Sequence, residues 1–436
     1  MGRARSTRRA FLQKASLAAA SMALGVVNAM PQDRPLGANE RIALGIAGPG
    51  SRGRSLMAWA NKFAKTENCE FVAVADLLKD RRERAAKIVQ DWTGKKPIIC
   101  RNLEELCQLK EVDAVIIATA DFQHAPHCRM AVEMGKDVYV EKPLGCDFEQ
   151  VKLCWQAVKR TKRVVQVGTQ AGSSGGLWGT QQFIKSGGLG KVTYVEVAQP
   201  LFQQRWRIRG SETAITEKDV DWRRWLCYLP YIPFNPRYYL EFRLFWPFSS
   251  GCLCQWASHA MNEVNVCLDS IPKYAMCWGG VYLWQDGRTN PDTIDALWEY
   301  PEGILCRYHM RLGNSANGRG ITIYGTRGTV TPGGKAVPDG GGGEVICENP
   351  EDPNPSFRVD KSKLIPKEGI DYPKPPSVDH MQHWLQCLRT REQPRSNIDW
   401  GYAHAVATIL ANMSYRNGCR MEYDHEKMEM KKSPIT

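Results

Sequence analysis

The stretch RIALGIAGPGSRGRSLMAWANKFA, residues 41–64, restricts the fold more than any other part of the 436-residue chain. Ile42–Ile46 is a short apolar run of the kind buried on both faces in a parallel sheet, and Arg54–Phe63 has the spacing of a helix. Between them stands Gly48-x-Gly50-x-x-Gly53. A glycine pattern alone is weak, but the strand–turn–helix context gives each glycine a task. The first permits a tight bend, the second lets backbone approach a pyrophosphate, and the third lets helix lie on strand, with the helix N-terminus facing the anion. The next apolar run, EFVAVAD, ends in Asp76, 23 residues beyond Gly53, where a carboxylate accepts a hydrogen bond from an adenosine ribose hydroxyl. An acid there repels a 2′-phosphate and favours NAD; Arg81 and Arg82 follow closely and keep NADP open. Gly48, Gly50, Ser51, Arg52, Gly53 and Asp76 are the expected cofactor-binding set of this turn.

The alternation continues through DAVIIATA, a helix through PHCRMAVEMG, DVYVEKPLG, a helix through FEQVKLCWQAVKRT, and RVVQVGTQ. Strands alternating with helices up to Gly168 describe a doubly wound parallel sheet. Beyond Gly172 longer alternating strands, such as KVTYVEVAQP, YAMCWGGVYLW and TIDALWEYPEGILCRYHMRLG, predict an open, mainly antiparallel sheet with one face covered. DGGGGE at 339–344 and the proline-rich 349–376 read as loop or linker, and two helices, SVDHMQHWLQCLRT and GYAHAVATILANMSYRNG, close the chain. The expected organisation is α/β throughout: a Rossmann-type domain over 41–168, then an α+β domain over 169–436 that binds substrate and ends in the two helices.

Composition adds limits rather than detail. With 43% hydrophobic and 24% charged residues the chain is an ordinary globular one. Its formal net charge of +12 includes five basic residues and no acid within 1–29, which leaves a scattered +7 for the remainder. No basic stripe accompanies a recognisable nucleic-acid module, so nucleic acid is not an expected partner. Residues 1–29 combine Arg8-Arg9-x-Phe11-Leu12, a short apolar stretch and small residues at Val27-x-Ala29, which resembles a twin-arginine export signal, with a polar linker over 30–40. The apolar part is too short to remain as a membrane anchor. A periplasmic or secreted protein is expected. Fifteen scattered cysteines read as small buried hydrophobes, with a disulfide or two left open; Cys252-x-Cys254 lacks zinc-ribbon spacing, and no metal is expected.

Residues at the C-terminal ends of parallel strands face the ligand crevice. Three such places stand out: Thr119, Asp121 and His124 in ATADFQHA, Glu141-Lys142-Pro143 after DVYV, and Gln170 in VGTQ. Together with the glycine turn and the terminal segment 379–417, these residues resemble the Gfo/Idh/MocA oxidoreductases over roughly residues 41–436, the Glu-Lys-Pro after the fourth strand being the most specific of them. The resemblance implies hydride transfer between NAD(P) and a sugar or polyol hydroxyl in the cleft between two domains. It also implies that Lys142 lies beside the nicotinamide and the reacting hydroxyl, where a cation stabilises developing alkoxide. A homo-oligomer, dimer or tetramer, is implied by the same analogy.

In that family an aspartate and a histidine four residues apart open a helix of the second domain. Here CQWASHAMNE supplies His259, but Gln255 stands where the aspartate would be. On a helix over 255–268, Gln255 and Glu263 each lie one turn from His259. Either Gln255 orients the imidazole without charge, or Glu263 supplies the charge from the other side, and Lys142, His259, Gln255 and Glu263 form the candidate catalytic set. The segment from QRWRIRG through DWRRWLCYLPYIPFNPRYYLEFRLFWPFSSG, rich in aromatics and arginine, suits carbohydrate stacking and interfaces equally. Where relatives often have an acid after its Phe-Trp pair, this chain has Pro247. Two readings besides net oxidation stay open: a glycosidase that oxidises a sugar ring transiently, and a cofactor- and sugar-binding protein without catalysis, for which Gln255 argues.

Overall fold

The computed structural model describes residues 40–434; the export signal expected at 1–29 and the linker up to residue 39 lie outside the described residues. Among these, no helix is long and apolar enough to cross a membrane.

Six short strands form a parallel sheet in the order β3-β2-β1-β4-β5-β6. They are β1 (Ile42–Ala47), β2 (Cys69–Ala75), β3 (Ile98–Cys100), β4 (Ala114–Ile117), β5 (Asp137–Val140) and β6 (Val165–Val167), linked by α1 (Ser51–Asn61), α2 (Lys79–Thr93), α3 (Leu103–Gln108), α4 (His124–Glu133) and α5 (Phe148–Thr161). Every residue of β1, β4, β5 and β6 is buried, as strands covered by helices on both faces must be. Chain order reverses between β1 and β4, so the crevice outside their C-terminal ends is a topological switch point, the place where open α/β sheets bind ligands.

After α6 (Gly175–Lys185) the chain builds an eight-stranded mixed sheet from β7 (Val192–Ala198), β8 (Tyr274–Gly280), β9 (Thr293–Tyr300), β10 (Ile304–Arg311), β11 (Gly320–Gly325), β12 (Gly328–Val330), β13 (Met421–Asp424) and β14 (Glu429–Lys432). All neighbours are antiparallel except β7 and β10. Strict alternation along β9, with Ile294, Ala296, Trp298 and Tyr300 buried and Asp295, Leu297 and Glu299 exposed, marks one covered face. Helices α7 (Ser258–Leu268) and α9 (Ile398–Asn417) cover it, with Trp298 donating its indole N–H to the Ala407 carbonyl at 2.9 Å. Gly418 ends α9 in the left-handed conformation at φ +63°, the stop expected of its glycine.

Two parts differ from the sequence reading. Helix α8 (His380–Thr390), grouped there with the second domain, packs through Met381, Trp384, Leu385 and Leu388 into the core of the parallel sheet beside Leu44 and Leu56. Tertiary contact decides its place, and its amphipathic pattern is silent about which sheet it serves. Within the stretch read as loop, Glu344–Cys347 pairs with Phe357–Asp360 as a small hairpin.

Candidate active site in the cleft between the two sheets

A cleft of about 1190 Å³ opens at the switch point and is lined from both sheets' sides by residues that include Gly50, Asp76, Lys142, Tyr239, Gln255 and His259. Its floor begins at the glycine turn. Gly48 has φ +79°, and a Cβ there would meet the Ala118 carbonyl oxygen at 2.6 Å. Helix α1 starts at Ser51, three residues earlier than the sequence spacing suggested, so Gly53 lies in its first turn; a Cβ on Gly53 would fall 2.3 Å from the Gly48 oxygen. A Cβ on Gly50 would instead enter open space, with only an Arg81 nitrogen at 3.9 Å. The N-terminus of α1 has no side-chain cap and no acid in its first turn, which leaves its N–H groups for an anion.

Asp76 ends β2, as expected. Its Oδ1 accepts from the Leu78 N–H at 2.9 Å and the Tyr239 hydroxyl at 3.2 Å, and among the described residues Oδ2 has no partner. Burial pushes this carboxyl up, opposed by Arg81, whose guanidinium lies 5.1 Å from the centre of the Tyr239 ring. The open backbone at Gly50, the uncapped helix and the free acceptor on Asp76 fit the pyrophosphate and ribose of a dinucleotide.

The strand-end residues divide into those that face the cleft and those that hold it. Thr119, Glu141 and Gln170 line it. Thr119 Oγ1 lies 3.0 Å from His127 Nδ1, and Gln170 donates to the Tyr139 hydroxyl at 3.3 Å. Glu141 Oε1 accepts from Arg52 Nε at 2.8 Å and Nη2 at 2.7 Å, so Arg52 is paired and its guanidinium pKa lies above its ordinary value, burial opposing and Glu141 raising it. His124 touches the wall, but its Nδ1 lies 2.7 Å from the Pro143 carbonyl and its Nε2 3.2 Å from that of Thr119. Burial holds its pKa down, and the ring pins the two strand-end loops together.

Lys142 projects from the end of β5. Its Nζ donates to the Gln255 backbone oxygen at 2.7 Å and to the Gln255 side-chain Oε1 at 3.1 Å. The other end of the same amide, Nε2, donates to Asp121 Oδ2, which also accepts from Ser249 Oγ at 2.7 Å. Asp121 is fully buried behind Gln255, and its Oδ1 is without a partner among the described residues. Burial lowers the Lys142 pKa most; Glu141 and Asp121 oppose that, while Arg243 and Arg52 add to it.

Two expectations about Gln255 and Glu263 are therefore corrected. Gln255 does not orient His259; it links Lys142 to Asp121. Glu263 neither lines the cleft nor bonds to His259, and burial alone pushes its carboxyl up to about 7. His259 does face the cleft, with its pKa held down to about 3, first by burial and then by Lys142 and neighbouring cations and histidines. A ring kept neutral in this way needs no carboxylate beside it. The local cause is a π-turn over Leu253–Ala257 ahead of α7, a geometry concentrated at functional sites, in place of one continuous α-helix from 255.

Sequence reasoning missed Ser249 and the thiols behind Asp121. Cys146 and Cys254 sulfurs lie 3.0 Å apart, and with Asp121 they form a group whose ligand atoms all fall within 4.8 Å. Sulfurs on one tetrahedral zinc stand roughly 3.8 Å apart, given Zn–S near 2.3 Å. The pair is arranged as two contacting thiols, and burial pushes that of Cys146 up. All fifteen cysteines are free, twelve of them buried, in keeping with their reading as small hydrophobes.

A glycine-lined anion cradle, an acid at the end of the second strand, and a lysine at the mouth of a cleft walled by a second sheet define a two-sheet dinucleotide-binding protein. Residues 42–169 match the Gfo/Idh/MocA profile, described as an oxidoreductase family with an NAD-binding Rossmann fold, and the chain carries a domain of that family. An inositol 2-dehydrogenase of Serratia proteamaculans is 27% identical over 186 residues, 42% of this chain and 53% of the relative. A glycosyl hydrolase family 109 protein of Phocaeicola vulgatus is 31% identical over 128 residues, 27% of this chain and 21% of the relative. The chain thus spans about half the length, or less, of the curated relatives it matches. Its fold resembles that of a levoglucosan dehydrogenase solved with NADH, at a TM-score of 0.60 and 14% identity, over 88% of this chain and 99% of that one.

Proposed function

We propose that the protein oxidises a sugar or polyol hydroxyl, or reduces the matching carbonyl, with NAD in the cleft. The observation that carries this reading is the chain Lys142–Gln255–Asp121, which opens into the same cleft as the glycine turn. Bound nicotinamide supplies the hydride acceptor or donor. The protein's own residues manage the proton. With both hydrogens of a neutral Lys142 amine given to the two Gln255 acceptors, its lone pair is left for the substrate hydroxyl. Once the proton has moved, the ammonium keeps those bonds, turns its third N–H toward the new carbonyl oxygen, and is stabilised by Asp121 through the amide. A pKa lowered toward the working range suits such an acid–base role. His259, a member of the candidate catalytic set, is too weak a base with its ring held down to about 3; it accepts a hydrogen bond from the substrate and orients it. Asp76 favours NAD over NADP.

The test is absorbance near 340 nm on cofactor-loaded protein against aldoses, inositols, uronic acids and glycosides, with product analysis. Reduction of NAD by one substrate class is the expected outcome. Cleavage of a glycoside without net NADH would favour the transient-oxidation reading, which the family 109 relative keeps in view. Neither change with any compound would sink both enzymatic readings and leave a binding protein. Against that last reading stands the use Gln255 makes of both its amide ends.

We further propose export through the arginine pair at 8–9 and self-association through the open face of the second sheet, where Trp278 is 62% exposed beside Leu297 and Leu305. Unprocessed protein in the cytoplasmic fraction would contradict the first, and a monomer in sedimentation at micromolar concentration the second.

A further inference from the structure

The cations that border the cleft fall into two groups. Arg52 is paired with Glu141, and Arg224 with Glu104. Arg81 and Arg223 line it too, over the Tyr239 and Tyr231 rings; among the described residues no ion pair or side-chain hydrogen bond joins Arg205, in the loop after β7, or Arg243, in the turn before Pro247, to an acid. The Nε atoms of both are buried without a hydrogen-bond partner. Arg205 lies 5.1 Å from the centre of the Trp256 ring, and Arg319 lies 4.6 Å from the same ring, so two like charges share one indole beside Gln255. Arg243 is close enough to Lys142 to disfavour its charge. Among the described residues the Lys142 ammonium makes no direct hydrogen bond to a carboxylate: it reaches Asp121 through Gln255, and Glu141 acts on it through space.

Such a grouping of like charges is unfavourable in itself. Arg205 and Arg243 are half-buried, and their Nε atoms, shut off from water, want a hydrogen-bonded counter-charge; like charges near one another raise that need. The burial and the Arg319 neighbour that lower the Arg205 pKa express the same cost. The cofactor's pyrophosphate does not answer it, because the uncapped N-terminus of α1 provides for that anion on the parallel-sheet side. A missing negative charge beside the reacting position must come from the other ligand.

We infer that the substrate is an anionic sugar or polyol, whose carboxylate or phosphate is held by Arg205 and Arg243 while Lys142 meets the hydroxyl to be oxidised. The inference rests on the oxidoreductase reading. A guanidinium fork matches either anion in bidentate geometry, and Trp256, also on the wall of the cleft, steadies Arg205 through its ring. The two arginines then act as specificity residues, for they select the substrate without touching the hydroxyl.

The experiment uses the cofactor-loaded protein, with NADH for binding and NAD+ for turnover, and three sets of probes: neutral hexoses and myo-inositol, the corresponding hexuronates, and hexose phosphates with an inositol phosphate. Binding is read by tryptophan fluorescence and turnover at 340 nm, in wild type, Arg205→Gln, Arg243→Gln and the charge-keeping Arg243→Lys. The expected result is at least one carboxylate or phosphate probe bound more than ten-fold tighter than its neutral counterpart, with affinity falling as salt rises. Both glutamine variants should lose that preference with NADH affinity unchanged, and Arg243→Lys should keep part of it. Preference for hexuronates over phosphates, or the reverse, identifies the anion. If a neutral sugar is turned over as well as its acid and the glutamine variants do not care, the anion site is refuted and the oxidoreductase stands. If NADH affinity falls instead, the arginines belong to the cofactor and the inference is equally refuted. Arginine-dependent binding of an anion with no turnover of any probe would keep the anion site and refute the oxidoreductase.

Discussion

Gln255 shows how one amide replaces a carboxylate without leaving the site uncharged. An acid at this position would face Asp121, which is fully buried, and two carboxylates in one site cannot both stay ionised. The amide avoids that conflict by donating to Asp121 and accepting from Lys142. None of this is legible in CQWASHAMNE, because local spacing names only neighbours three and four residues away, and Asp121 is 134 residues distant. The strand-end places of Lys142, the glycines and Asp76 were legible from the strand–turn pattern, with the role of Lys142 implied by the family resemblance; Tyr239, which closes over Asp76 from 163 residues away, was not. In the oxidation direction Lys142 must be neutral, so kcat/KM rises with pH through its lowered pKa. Gln255→Leu removes an acceptor of the ammonium and the link to Asp121, so its pKa falls further. The acid limb of the profile moves to lower pH while kcat drops by about ten- to a hundred-fold. A limb that stays in place, or moves up, would show that Lys142 does not hold the proton.

At the level of elements, the helix after the π-turn carries both a residue of the site and one outside it. Among the described residues no charged group offsets the burial of Glu263, and its carboxyl is pushed up to about 7. A pKa above the unfolded value means that the folded state binds the proton more tightly. Stability from this group is complete below about pH 4.3 and is lost as pH rises toward about 7. Glu263→Gln therefore leaves stability nearly unchanged at pH 4 and raises it at pH 8, by on the order of 2 kcal/mol, in paired urea titrations. Turnover should not change. Equal stability at both pH values, or loss of activity, would return Glu263 to the site. The sequence placed Glu263 on the same face as His259 because helical period alone cannot distinguish a residue that points into a cleft from one that points along its rim.

Over the whole molecule, the two sheets divide the work between them. The parallel sheet, legible from its buried runs and glycine turn, provides the anion cradle, Asp76, Asp121 and Lys142. The second sheet, legible from its alternation, provides the platform on which Gln255, His259 and the unpaired arginines approach. What the sequence could not convey is the meeting of the two, since pairing across the cleft is a matter of packing between residues more than a hundred positions apart. Lys142→Met decides whether this lysine manages the proton, with NADH affinity and turnover of the best substrate determined in the same preparation. Unchanged NADH affinity with turnover reduced about a hundred- to ten-thousand-fold is the predicted result. Turnover within a few-fold of wild type would contradict the claim that Lys142 manages the reacting proton.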